Sequence, residues 1–223
     1  MSELVKAREP FRFYTRLNLT ELTGWYACNL KELLGLVKTV PGSSIYHHTH
    51  RFLQQHQYLS PEPPNDFAYW VTEVLGEKEL GEDLASIDIV QFNTIHSLRD
   101  KIVETIDEYL KDNSSSASRF TDENEAFCFM KSVSFVLPTN YEAHDLKEFS
   151  EILKKITIDS IYFHIFEAKL RLEKSENDFS NWIEDSIGDK KLAGAISGLD
   201  PYTYTLEELR KTIIKLIEKK LPK

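Results

Sequence analysis

The chain has 223 residues, 41% hydrophobic and 28% charged, a composition and length that bury a core without staples. Its 27 Lys and Arg against 36 Asp and Glu give a net charge of −9. That balance argues against nucleic-acid phosphates and against anionic lipid as partners, since both need a basic surface. The two cysteines, Cys28 and Cys128, show no CxxC spacing and read as reduced thiols of an intracellular protein. The first ten residues lack the apolar core of a signal peptide, and no apolar run approaches the ~20 residues that span a bilayer. The expected compartment is the cytoplasm.

In chain order, the aromatic and β-branched residues of Phe11–Leu17, in partial alternation, predict a strand, with Gly24 in a turn after it. Helices are expected over Ala27–Thr39, stopped by Val40, Pro41 and Gly42, and from Ser43 or Ser44 to Gln57. The next begins at the caps Asn65 and Asp66 and runs to Leu75, where Gly76 ends or kinks it; a short one covers Glu79–Ile87. A last helix, Thr94–Lys111, carries Leu98, Ile102 and Ile106 on one face.

The same plan then repeats. Ser44–His48 matches Ser160–His164, Asn65–Trp70 matches Asn177–Trp182, and Leu98–Leu110 matches Leu209–Leu221, at offsets of 116, 112 and 111 residues. Phe127–Val136 is the second predicted strand, and Asn140 takes the place of Gly24 as a turn residue. The expected fold is mostly α with a small β element, a helical-bundle module duplicated in tandem about a pseudo-twofold axis. Its parts would be residues 10–112, a polar Ser-rich linker at 113–125, and residues 126–223.

The richest chemistry lies on the second helix. His47, His48, His50 and His56 fall within ten residues. His48 reappears as His164, which points to a shared structural role as a buried, hydrogen-bonded histidine. His47, His50, Arg51 and Gln54 form a neighbouring stripe whose counterparts are Phe163, Phe166, Glu167 and Leu170. A ligand site confined to the first half would therefore use His47, His50, Arg51 and Gln54, with Tyr69 offering an aromatic surface to a sugar-like group. Arg51 suits a small anionic ligand through its planar fork. His47 and His50, at i and i+3, could share a metal with Asp66 or Glu73 as a third ligand. No HExxH, Walker A, GxSxG, GxGxxG or EF-hand motif occurs. Two functions stay open. One is a non-catalytic ligand- or partner-binding or scaffold protein, with a protein partner or homodimer. The other is a metal- or anion-dependent enzyme sited on the His-rich helix. The residues single out no cofactor.

The segments Ser43–Phe52, Pro61–Val71 and Leu84–Asp88 resemble an uncharacterised bacterial and archaeal family, a domain of unknown function. The resemblance covers about residues 10–110. It implies a prokaryotic, cytoplasmic protein and transfers no catalytic residue.

Overall fold

The computed structural model describes residues 5–55, 65–168, 170, 177–199 and 204–222; side chains are described up to Arg51 in the first of these stretches. Two strands, β1 (Lys6–Ala27) and β2 (Phe127–Asp145), form a two-stranded sheet. The pairing is antiparallel: Thr23 Oγ1–H donates to Phe129 O, Thr139 Oγ1–H to Phe13 O, and Lys131 pairs with Glu21.

The chain divides into two compact units, and each strand gives one half to each. The first unit takes the chain up to Leu17 and from Ser134 onward; the second takes the chain from Asn18 to Val133 except for a short stretch outside the described residues. The second unit holds α1 (Leu30–Thr39), α2 (Gly42–Gln55), α3 (Asp66–Glu73), α4 (Lys78–Ala85) and α5 (Ile95–Asp112). The first holds α6 (Leu146–Leu153), α7 (Ile158–Tyr162), α8 (Asp178–Trp182), α9 (Lys190–Ser197) and α10 (Leu206–Glu218). Helices α7 and α8 run on into π-helical turns, Phe163–Glu167 and Ile183–Ile187. Among the described residues no helix is long and apolar enough to cross a membrane.

Capping explains where the helices start. Asn29 Oδ1 accepts from Glu32 N–H while Glu32 returns a carboxylate to Cys28 N–H; Asp145, Glu148 and His144 repeat this arrangement before α6. Asn65 and Asn177 cap α3 and α8, and Thr94 and Thr205 cap α5 and α10. The helix positions expected for the first half are close to those observed.

The expected fold class needs correction. The β element is not small: the strands run 22 and 19 residues. Nor does the chain form a helical bundle duplicated in tandem about a pseudo-twofold axis. Each unit is instead closed by strand segments far away in sequence. In the first, Phe11 and Phe13 of β1 pack edge-on and tilted against Phe149, Phe179 and Trp182. In the second, Phe127 and Phe129 of β2 pack on Phe67 and Trp70. Gly24 and Asn140 do not turn the chain. Both sit inside strands, Gly24 at φ +80°. At each place a threonine hydroxyl bridges the irregularity, Thr23 accepting from Trp25 N–H and Thr139 from Tyr141 N–H. Such a local break bends a strand without ending it.

Residues 113–125 contain two 3-10 turns, Ser114–Ser118 and Glu123–Glu125. They pack on the second unit: Thr121 N–H donates to Cys28 O at 2.9 Å, and Arg119 reaches Leu75 O at 3.1 Å.

Candidate functional site

A histidine ties strand to helices in each unit. His48 on α2 is 2% exposed. Its Nδ1 lies 2.8 Å from Asp66 Oδ2, and its Nε2 accepts from Met130 N–H of β2 at 2.9 Å. His164 does the same with Asp178 at 2.8 Å and Tyr14 N–H of β1 at 2.9 Å. A backbone N–H can only donate, so Nε2 must carry a lone pair. The proton then sits on Nδ1, facing the carboxylate, and both rings are neutral. Their structural role, expected from the sequence, is plain from these bonds.

Trp70 and Trp182 add a second tie. Their indole N–H groups donate to Glu125 O and Glu9 O, each at 2.7 Å.

Next to each histidine the units differ. In the first, Arg16 of β1 is buried and its Nη1 lies 2.9 Å from Glu167 Oε2, with the guanidinium 4.4 Å over the Tyr162 ring. Phe163 and Phe166 fill the surroundings. In the second, β2 presents Ser132, whose Oγ is 3.0 Å from His47 Nδ1. Arg51 Nη1 approaches His47 Nε2 at 3.4 Å and donates to Thr20 Oγ1. His50 stacks on Tyr46 at 5.2 Å, and its Nδ1 is 2.9 Å from Thr49 Oγ1.

His47 and His50, expected on a polar helix face, are only 4% and 3% exposed. Burial, with the Arg51 guanidinium adding to it, pushes the His47 pKa down to about 4. His47 is therefore a neutral group at pH 7. Arg51 is half-buried, and Tyr69 on α3 is exposed. The Gln54 side chain lies outside the described residues. Of the two carboxylates suggested as a third metal ligand, Asp66 is engaged by His48. Among the described residues no group of three or more His, Cys, Asp or Glu is placed to hold a metal ion.

Sequence reasoning missed the surface of the strands. Nine of the twelve exposed large apolar side chains among the described residues lie on β1 and β2, so the strands and not the helices carry the unusual surface. In the first unit these are Leu17, Phe135, Val136, Leu137 and Tyr141; in the second they are Leu19, Leu22, Trp25 and Tyr26. Charge is sparse there. Ser132–Tyr141 has no ionisable Asp, Glu, Lys, Arg or His, and Leu17–Ala27 has only Glu21. That depletion was readable in the sequence, had the strands been drawn at full length.

The architecture defines a class: helical units closed by the halves of one long antiparallel ribbon. The chain belongs to a family of unknown function, DUF5752, whose model matches residues 8–218. It is similar to a solved structure described as the structure of OrfY from Thermoproteus tenax, with 26% sequence identity and a TM-score of 0.81. That likeness covers 97% of this chain and 98% of the other. No curated protein matches.

Proposed function

We infer that this is a non-catalytic binding protein of the prokaryotic cytoplasm whose docking surface is the outward side of the ribbon. The observation that carries this reading is the concentration of exposed apolar side chains on two strand stretches, Leu17–Ala27 and Ser132–Tyr141, whose one charged residue is Glu21. Exposed apolar area on this scale marks interaction surfaces, and interface centres are depleted of charge. Residues 134–138 of β2 are exposed on successive positions, so neither face of the ribbon is covered there. A bare two-stranded ribbon is marginal in water and gains from a covering surface. Pro10 and Pro138 each remove an amide donor, which blunts edge-to-edge strand addition and favours docking on a face.

The occupant is a second copy of this chain. A chain of charge −9 repels itself over most of its surface. A two-fold contact sets the same patch against itself, and an apolar patch poor in charge is the one that tolerates this. Sedimentation velocity over a concentration series tests it. A dimer that dissociates in Phe135→Asp and in Leu137→Asp, with unchanged circular dichroism, is expected. A wild-type monomer at every concentration, or a dimer indifferent to both substitutions, overturns it.

A second reading has one observation in its favour. His47, Arg51, Thr20 and Ser132 gather an imidazole, a guanidinium and two hydroxyls in the second unit. This donor-rich set suits a small anion, which would exchange the hydroxyl contacts for its own oxygens. The wider ligand set, with His50, Gln54 and Tyr69, and the metal version on His47 and His50 belong to the same reading. Titration calorimetry with inorganic phosphate, together with elemental analysis of purified protein, tests both. Heat that vanishes in Arg51→Met supports the anion. No heat and no stoichiometric metal remove this reading.

A further inference from the structure

Between α4, the 3-10 turn Ile89–Gln91 and α5, the second unit holds a cleft of about 660 Å³. That volume lies within the range of roughly 300–1,000 Å³ usual for small-molecule sites. Helical spacing builds its walls. Glu79 and Asp83 stand one turn apart on α4, and Glu108 and Asp112 one turn apart on α5. Asp88 completes the set from the segment between the helices. Five carboxylates therefore line the cleft beside one ammonium, that of Lys101, which is turned to Glu104 at 2.8 Å. Glu79, Asp83, Glu108 and Asp112 have no ion pair among the described residues.

The helices do not need these acids in order to fold. At the offsets of 112 and 111 residues that relate the two halves of the sequence, Glu79, Asp83 and Glu108 correspond to Lys191, Ala195 and Lys219. Like charge gathered around one cleft opposes the compact state, and a cationic occupant removes that repulsion. The rest of the lining is apolar. Ile87 is buried, and Phe92 and Tyr109 are half-buried. The Tyr109 ring is held in place: its hydroxyl donates to Glu77 Oε2 at 2.7 Å, and the buried Glu77 pairs with Arg119 at 3.2 Å.

We propose that the cleft between α4 and α5 binds an organic polyamine, a flexible chain with ammonium groups spaced along it. Among the described residues no three acidic groups are placed around one point to hold a metal ion. Charges spread over two helix faces are matched instead by charges spread along a chain. Each ammonium donates to carboxylate oxygens of Glu79, Asp83, Glu108 or Asp112. The methylene segments lie on Ile87 and Phe92, and the fixed Tyr109 ring attracts an ammonium to its face.

Titration calorimetry with spermidine, repeated with magnesium chloride, tests the assignment. Equimolar, saturable binding of spermidine is expected, weakening as salt is raised. Asp83→Asn and Glu108→Gln, both at exposed positions, should each weaken it by about tenfold with unchanged circular dichroism. Glu151→Gln removes the same charge from the exposed side of α6 in the first unit and should leave binding as in wild type. Amide NMR shifts on titration should concentrate in Ser86–Phe92 and Lys101–Asn113. The proposal is overturned by no saturable binding, by magnesium bound more tightly than spermidine, or by an equal loss in Glu151→Gln, which would reduce the effect to net charge. No strand residue lines the cleft, so these readouts stand apart from those of the docking surface above.

Discussion

The corner around Arg16 in the first unit and the corner around His47 in the second sit beside the same histidine clamp but solve different problems. In the first, a guanidinium is held dry between Glu167 and the Tyr162 ring, and the nearby helix positions are phenylalanines. In the second, the helix carries the arginine, the strand offers only hydroxyls, and the phenylalanines give way to histidines. Taking a charge out of water is costly unless it is paired, so the first corner is locked by its ion pair. The second is built around the neutral His47 imidazole, hydroxyl groups and the half-buried Arg51. The clamp is common to both units; the corners beside it are where they differ.

The largest effect should come from breaking the dry corner. Arg16→Ala leaves Glu167 without its guanidinium and should cost about 3–5 kcal/mol in urea unfolding. Ser132→Ala, which removes one hydroxyl contact from the other corner, should cost no more than about 1 kcal/mol. Equal costs would erase the contrast.

Next come the clamps themselves. His48→Ala and His164→Ala each strand a part-buried amide and empty a ring-sized space, at about 2–4 kcal/mol each. Similar losses at the two sites are expected because the bonds are alike. Hydrogen exchange should then show faster exchange at the Met130 amide in the first variant and at the Tyr14 amide in the second. An unchanged exchange rate at both would deny that the imidazole nitrogen is their acceptor.

Acid should discriminate the corners a third way. His47 has a folded pKa of about 4, below the ordinary 6.5. The unfolded chain therefore binds the extra proton first, and stability falls as pH drops from about 6.5 toward 4. The contribution is on the order of 2–3 kcal/mol, full above pH 6.5 and gone below the folded value. His47→Phe, which copies the residue of the other unit, should flatten the curve across that window. A variant with the same slope as wild type would assign the acid loss elsewhere.

The smallest effects are at the tryptophans. Trp70→Phe and Trp182→Phe each delete one indole donor bond and should cost about 1–2 kcal/mol, matched between the units.

Much of the helical plan was legible because its signals are local. Asn65, Thr94 and Gly76 announce a start, a start and a stop within a few residues. The histidine clamp was legible too, since His48 and His164 keep the same neighbours. The strands were not legible at full length. Alternation marks a strand only where one face is buried, as at Phe11 and Phe13; Leu17–Tyr26 has no covered face, and so no period to read. The bundle was misjudged for a related reason. Repetition along the chain reveals related stretches, but it does not reveal that the strand in front of one set of helices serves the other. The burial of His47 escaped for the same reason: what covers it includes Ser132 of β2, 85 residues downstream.

The threading of the strands also sets a timetable. During synthesis, everything the second unit requires has left the ribosome once Val133 emerges. Phe11 and Phe13 must wait for Phe149, Phe179 and Trp182, made after that point, before their rings find shelter. A strand segment made before the second unit is therefore housed after it.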